Sequence, residues 1–108
     1  MFDCWPEEWP ATPAHRTVVP PRPVTVDLVI AIARDRVPAE YSRPMRVKAG
    51  GLDLSGEVPG LLHAWARVST GTWLALVELT VCTGNRRGRL ELRHWVPASA
   101  VTPAPPRG

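Results

Sequence analysis

A chain of 108 residues with 44% hydrophobic and 21% charged side chains has the length and composition of one small folded domain, which excludes both a two-domain protein and a disordered one. Its formal net charge of +3 is modest, and the excess lies in residues 81–108, where five arginines face one glutamate; that is weak for a dedicated nucleic-acid binder but gives one end of the chain an attraction for phosphate. No run approaches the ~20 apolar residues of a membrane span, and the opening "MFDCWPEEWP" has neither the positive flank nor the apolar stretch of a signal peptide, so a cytoplasmic protein without membrane contact is expected.

Residues 1–23 hold six of the thirteen prolines. Proline fixes φ and removes a donor, so this stretch reads as a flexible, proline-rich tail inclined to polyproline geometry. Within it "CWPEEWP" has Pro6 placed for a first helical position and Glu7 and Glu8 for a helix N-terminus, which would set Trp5 and Trp9 on one face. Large aromatics in such a tail either pack back on the domain or serve as docking anchors. Cys4 and Cys82 are expected as free thiols in a reducing compartment. The absence of Gln, with a single Lys and a single Asn, reflects GC-rich coding and carries no functional weight.

The next segment, "VTVDLVIAIARDRVPAEY", fits two periods. Val24, Val26, Leu28, Ile30 and Ile32 alternate as a strand does, while Val26, Val29, Ile30, Ala33 and Val37 follow helical spacing. Thr25 as N-cap, Asp27 in the first turn, Arg34 and Arg36 in the last and Pro38 beyond it are helix punctuation, so a helix over about 26–37 is predicted. From Met45 the pattern is β: a strand from Met45, a Gly50-Gly51 loop and an irregular second strand, then "GLLHAWARV", "WLALVELTVC" after a turn at "TGTW", and "RLELRHWV" after the "TGNRRG" connection. Pro97 cannot donate to a ladder, so pairing should stop there before a last short strand. Alternation places Ala75, Val77, Leu79 and Val81 on one face of the long strand, Leu90, Leu92, His94 and Val96 inward on the returning one, and Leu62, Ala64 and Ala66 inward on the first, leaving His63, Trp65, Arg67, Arg89, Arg93 and Trp95 outside.

The stretch "TWLALVELTVCTGNRRGRLELRHWVPASAVTP" resembles the second half of an SH3 domain, in which a Trp-Trp-Leu-Ala strand, a distal hairpin and a Gly-x-hydrophobic-Pro-x-x-Tyr-Val ending follow in that order. Trp73-Leu74-Ala75 matches the strand, Gly88 lies near the hairpin, and Val96 to Val101 match the ending. The resemblance implies a five-stranded SH3-like barrel. It does not carry over the PxxP-peptide site, because Thr72 stands where the ligand-stacking Trp would be and Ala100 where the Tyr would be.

Two candidate surfaces follow. Arg86, Arg87, Arg89 and Arg93, with Trp65 and Trp95 beside them, have the residue types that hold phosphates and stack on bases; their bland counterpart is a solvated hairpin. Trp5 and Trp9 are the second, with "VVPPRPV" as a further polyproline-like run. Catalysis has no foothold: there is no Gly-x-Ser-x-Gly elbow, no Gly-rich loop ending in Lys and no His-Glu-x-x-His. Cys4, His15, His63, Cys82 and His94 lack the close pairing of a structural zinc site. The sequence therefore predicts a mainly β domain over 24–103, α+β if the helix forms, followed by a disordered stretch at 104–108. Its expected role is that of a non-enzymatic binding or adaptor protein with a protein partner and no cofactor or metal. A nucleic-acid-binding accessory factor, for instance of a mobile element, is the alternative, and a non-catalytic subunit of an enzyme is the third reading.

Overall fold

The computed structural model describes residues 1–9, 11–36 and 44–104. Five antiparallel strands, β1 (His15–Asp27), β2 (Glu57–Arg67), β3 (Trp73–Cys82), β4 (Arg89–Pro97) and β5 (Val101–Pro103), form one curled, half-barrel sheet in the order β4-β3-β2-β1-β5. Among the described residues helix is confined to two short pieces, α1 (Leu28–Ala31) and α2 (Met45–Gly50), and a 3-10 turn at Ala98–Ala100. No helix among the described residues is long and apolar enough to cross a membrane.

The core lies on the concave face. Val24, Val26, Leu62, Ala75, Val77, Leu79, Val81 and Val96 project into it, with Leu28 and Ala31 of α1 and Ala100 of the 3-10 turn closing its mouth. The period-2 pattern of β3 explains why this strand is central: four alternate residues, Ala75, Val77, Leu79 and Val81, are buried to 5% exposure or less. Gly60 lets β2 pass close to β1, since a Cβ there would stand 3.2 Å from Val26 Cγ2 and 3.0 Å from the Glu78 carbonyl.

Three expectations are corrected. The predicted helix over 26–37 is reduced to the single turn Leu28–Ala31, because Val24, Thr25 and Val26 gain ladder partners on both sides, β2 through Gly60, Pro59 and Val58 and β5 through Pro103, Thr102 and Val101. Tertiary pairing overrides local helix punctuation here. The cap is Asp27, whose carboxylate accepts from the Val29 N–H at 3.0 Å. The turn ends at Ile32, which is extended, and Arg34 donates to the carbonyl oxygens of Leu28 at 2.9 Å and Ile32 at 3.2 Å, satisfying the groups a longer helix would have used. Val37, at the end of the predicted helix, lies outside the described residues, as do Pro10 and residues 105–108.

Second, the strand expected from Met45 is α2. Pro44 opens it and the Gly51 N–H closes it on the Val47 carbonyl at 2.8 Å, and only an isolated bridge between Leu52 and Thr83 joins the following loop to the sheet. The fifth strand comes instead from the proline-rich segment. β1 crosses the boundary drawn at residue 23 and pairs His15, Arg16 and Thr17 with Ala66, Trp65 and Ala64. The register breaks between Thr17 and Arg22, and Pro20 and Pro21 sit within that break, where no ladder donor is required.

Third, the faces of β2 change along its length. Leu62 stands opposite Val77 and Ala64 opposite Leu76, so β2 carries one extra residue at His63. Because the side-chain period is 2, that bulge reverses every later position: Trp65, opposite Ala75, and Arg67, opposite Trp73, turn to the concave side, while Ala64 and Ala66 go to the convex one. Ala64 and Ala66 are nonetheless buried, at 0% and 8% exposure, because the N-terminal segment lies across this face. Phe2 stacks on His15 at 4.4 Å between ring centroids and approaches Trp95 at 6.3 Å. The fold-back is held by polar contacts: the Ala14 N–H donates to Glu7 at 2.7 Å, and His15 Nε2 donates to the Trp5 carbonyl at 2.8 Å.

Candidate functional site

The arginines and tryptophans singled out in the sequence do not form one surface. Trp65 faces the concave side and packs against the core, whereas Trp95, opposite Leu76, is on the convex side near Phe2. Two tryptophans separated by the sheet cannot stack on neighbouring bases.

The hairpin between β3 and β4 is built by its own side chains. Thr83 Oγ1 accepts from the Gly88 N–H at 2.9 Å, and the Asn85 side-chain oxygen accepts from the Thr83 hydroxyl at 2.7 Å and the Arg87 N–H at 3.0 Å. Arg86 takes the left-handed conformation, φ 64°, at the apex. From there its guanidinium reaches Asp53 at 3.3 Å. Arg93 is held too, 3.5 Å from the Glu78 carboxylate and 3.3 Å from both ring nitrogens of His63, whose Nε2 lies 2.9 Å from Glu78. Only Arg87 and Arg89 of the four have no carboxylate among the described residues.

The Asp53 carboxylate is displaced below its ordinary range. Hydrogen bonds from the Ser55 hydroxyl and then the Ser55 N–H hold its pKa below the usual 3.8, with Arg86 adding a smaller pull. Since the folded-state pKa is the lower one, the stabilisation is complete above the unfolded value and is lost as pH falls through the folded value. Asp53→Asn should therefore flatten the acid limb of the stability profile, and the check is that wild type and variant differ in melting temperature near neutral pH but converge below the folded-state pKa.

Trp5 and Trp9 part company. No helical turn forms over residues 5–9; Trp5 turns back towards Phe2 and His15, with ring centroids at 5.8 and 5.1 Å, while Trp9 is 71% exposed. Trp5 belongs to the fold-back while keeping 36% of its surface exposed, and Trp9 is the more open of the two.

The bulge at His63 creates a site that residue alternation missed. On the concave side Trp65 and Trp73 stand with Pro13, Arg16 and Ala98 around a groove of about 470 Å3. Arg16 and Trp65 also line an adjoining hollow of about 370 Å3, bordered by Arg22, Pro23, Val101 and Pro103, so the two run together along β1 towards β5. The Arg67 guanidinium lies over the Trp73 ring at 4.5 Å, a cation–π geometry, and its Nε is buried without a hydrogen-bond partner. No carboxylate among the described residues lines either part. A larger hollow, about 790 Å3, opens between α2 and the Gly51–Ser55 loop. Of its charges, Asp53 is engaged with Ser55 and Arg86 and Arg34 with the carbonyl oxygens of Leu28 and Leu54, while Lys48 has no ion pair among the described residues.

Arg16 and Arg22 escaped the sequence reading because they sit in a stretch that reads as a tail; Trp65 was a candidate there, but it and Arg67 were assigned to the outer face because a bulge leaves no mark in the residue pattern. The chain matches no family model, no curated protein and no solved structure.

Proposed function

We propose that this chain is a non-catalytic, SH3-like protein-binding module whose concave groove takes an extended, acidic and proline-bearing peptide segment. The order of elements supports the barrel type: the Trp73-Leu74-Ala75 strand, the distal hairpin, and Val96 to Val101 passing from β4 through the 3-10 turn into β5 follow one another as the SH3 resemblance implies. The observation that carries the ligand is the chemistry of the groove: two tryptophan walls and three prolines, with Arg16 and Arg22 in the lining, Arg67 over the Trp73 ring, and no carboxylate among the described residues. Tryptophan faces suit proline rings and apolar side chains, and arginine forks suit carboxylates. The walls differ from those of an SH3 peptide site, so the ligand is defined by this groove and not by the resemblance.

An array of extended peptides varying in proline and acidic content, probed with the full chain, should retain the protein on members that combine both and not on basic ones. Uniform indifference to acidic content would remove the proposal. The same pairing of aromatic walls with arginines suits single-stranded nucleic acid. That second reading predicts oligonucleotide binding that weakens steeply with salt, measured by fluorescence anisotropy alongside the array.

A further inference from the structure

We infer that the free edge of β4 is a homodimer interface, joining two copies of this chain into one continuous antiparallel sheet with a two-fold axis at Leu92. β4 is an edge strand of the sheet, paired with β3 alone among the described residues. It is nine residues long, and from Arg89 to His94 all but Leu92 are exposed, with Leu90 at 44%. A long edge with unpaired N–H and C=O groups is a template for another strand unless something blocks it.

The direction of those groups follows from the hairpin. The Thr83 N–H donates to the Gly88 carbonyl at 2.9 Å, so the pair 83/88 is a hydrogen-bonded one, and the Cys82 carbonyl, in the next pair, instead turns away from β4 to accept from the Asp53 N–H at 2.9 Å. Hydrogen-bonded and non-bonded pairs alternate along an antiparallel ladder. Leu90, Leu92, His94 and Val96 therefore bond to β3, and Arg89, Glu91, Arg93 and Trp95 present their N–H and C=O groups to the open edge.

The side chains then select one register. With Leu92 opposite its own copy, Glu91 faces Arg93 and Arg89 faces Trp95, each twice by symmetry. All the charged residues of β4 thus meet an opposite charge or an aromatic ring. A shift that centres Glu91 sets it against itself and Arg89 against Arg93; one that centres Leu90 sets Arg93 against Arg87. Like charges directly opposite are unfavourable. The charges that ordinarily protect an edge strand here permit one pairing and reject its neighbours.

The test is sedimentation equilibrium of the full chain across a wide concentration range, comparing wild type with Glu91→Pro and Glu91→Arg. Proline at 91 removes an N–H that points to the open edge and leaves the bonds to β3 in place, so Glu91→Pro should sediment as a monomer of about 11.9 kDa at all concentrations. Glu91→Arg turns both ion pairs repulsive and should weaken the dimer at least about tenfold. If circular dichroism shows that the proline variant has lost its fold, the arginine variant, whose backbone is unchanged, decides. A wild type that stays monomeric throughout, or a dimer that Glu91→Arg leaves as strong as before, overturns the assignment.

Discussion

Leu28→Ala should cost about 2–5 kcal/mol of folding stability, whereas Val29→Ala, one residue along, should stay within about 0.5 kcal/mol of wild type. Leu28 is among the largest fully buried side chains, 1% exposed, and it seals the concave core at the point where β1 turns into α1. Val29 is 61% exposed. The contrast is diagnostic, because a helix over 26–37 would have buried Val29 with Val26 and Ile30 and turned Leu28 to the opposite side, reversing the order of the two alanine variants. With total stabilities of small domains about 5–15 kcal/mol, the Leu28 variant would lose a large share, equivalent to roughly 10–25 °C in melting temperature. Urea titration followed by tryptophan fluorescence measures both, and equal or reversed losses would mean that the strand-to-turn junction at Asp27 is misplaced.

That junction also shows where sequence and structure part. The β3 and β4 pairing was legible because Val77, Leu79 and Val81 alternate with Glu78 and Thr80 and so fix the face of β3, and Pro97 marks the end of the ladder as expected: it is the last residue of β4, and the 3-10 turn follows at once. Segments whose conformation depends on distant partners were not legible. Thr25 and Asp27 carry genuine capping chemistry, and Asp27 does cap α1, yet two strands bid for Val24 to Val26 and win. The proline-rich segment hides a strand because its prolines cluster where the β1 register breaks, and proline content alone cannot separate a tail from a strand with a tolerant bulge. The single extra residue at His63 had the widest effect. It moved Trp65 from the presumed outer surface into a groove with Trp73 and set Arg67 over the Trp73 ring, and so replaced an arginine hairpin flanked by tryptophans with a different candidate site.

Trp73→Ala should weaken binding of an array-selected acidic, proline-bearing peptide by about 2–4 kcal/mol, roughly 30-fold to 1,000-fold, while Arg86→Ala combined with Arg87→Ala should leave that affinity within about twofold. Trp73 is positioned at the start of β3, half-buried, with the Arg67 guanidinium over its ring, so its removal takes away a groove wall and also releases the arginine that the ring orients. Such an aromatic wall beside a partly desolvated cation is where truncation costs most, because the lost area and the lost charge placement act on the same part of the ligand. The hairpin arginines are on the opposite end of β3 from Trp73, with Arg86 already engaged by Asp53. Titration by isothermal calorimetry compares the variants, with melting temperatures recorded to separate lost binding from lost fold. The reverse pattern, in which the hairpin pair matters and Trp73 does not, would move the contact surface to the β3–β4 connection and favour the phosphate-binding reading over the peptide one.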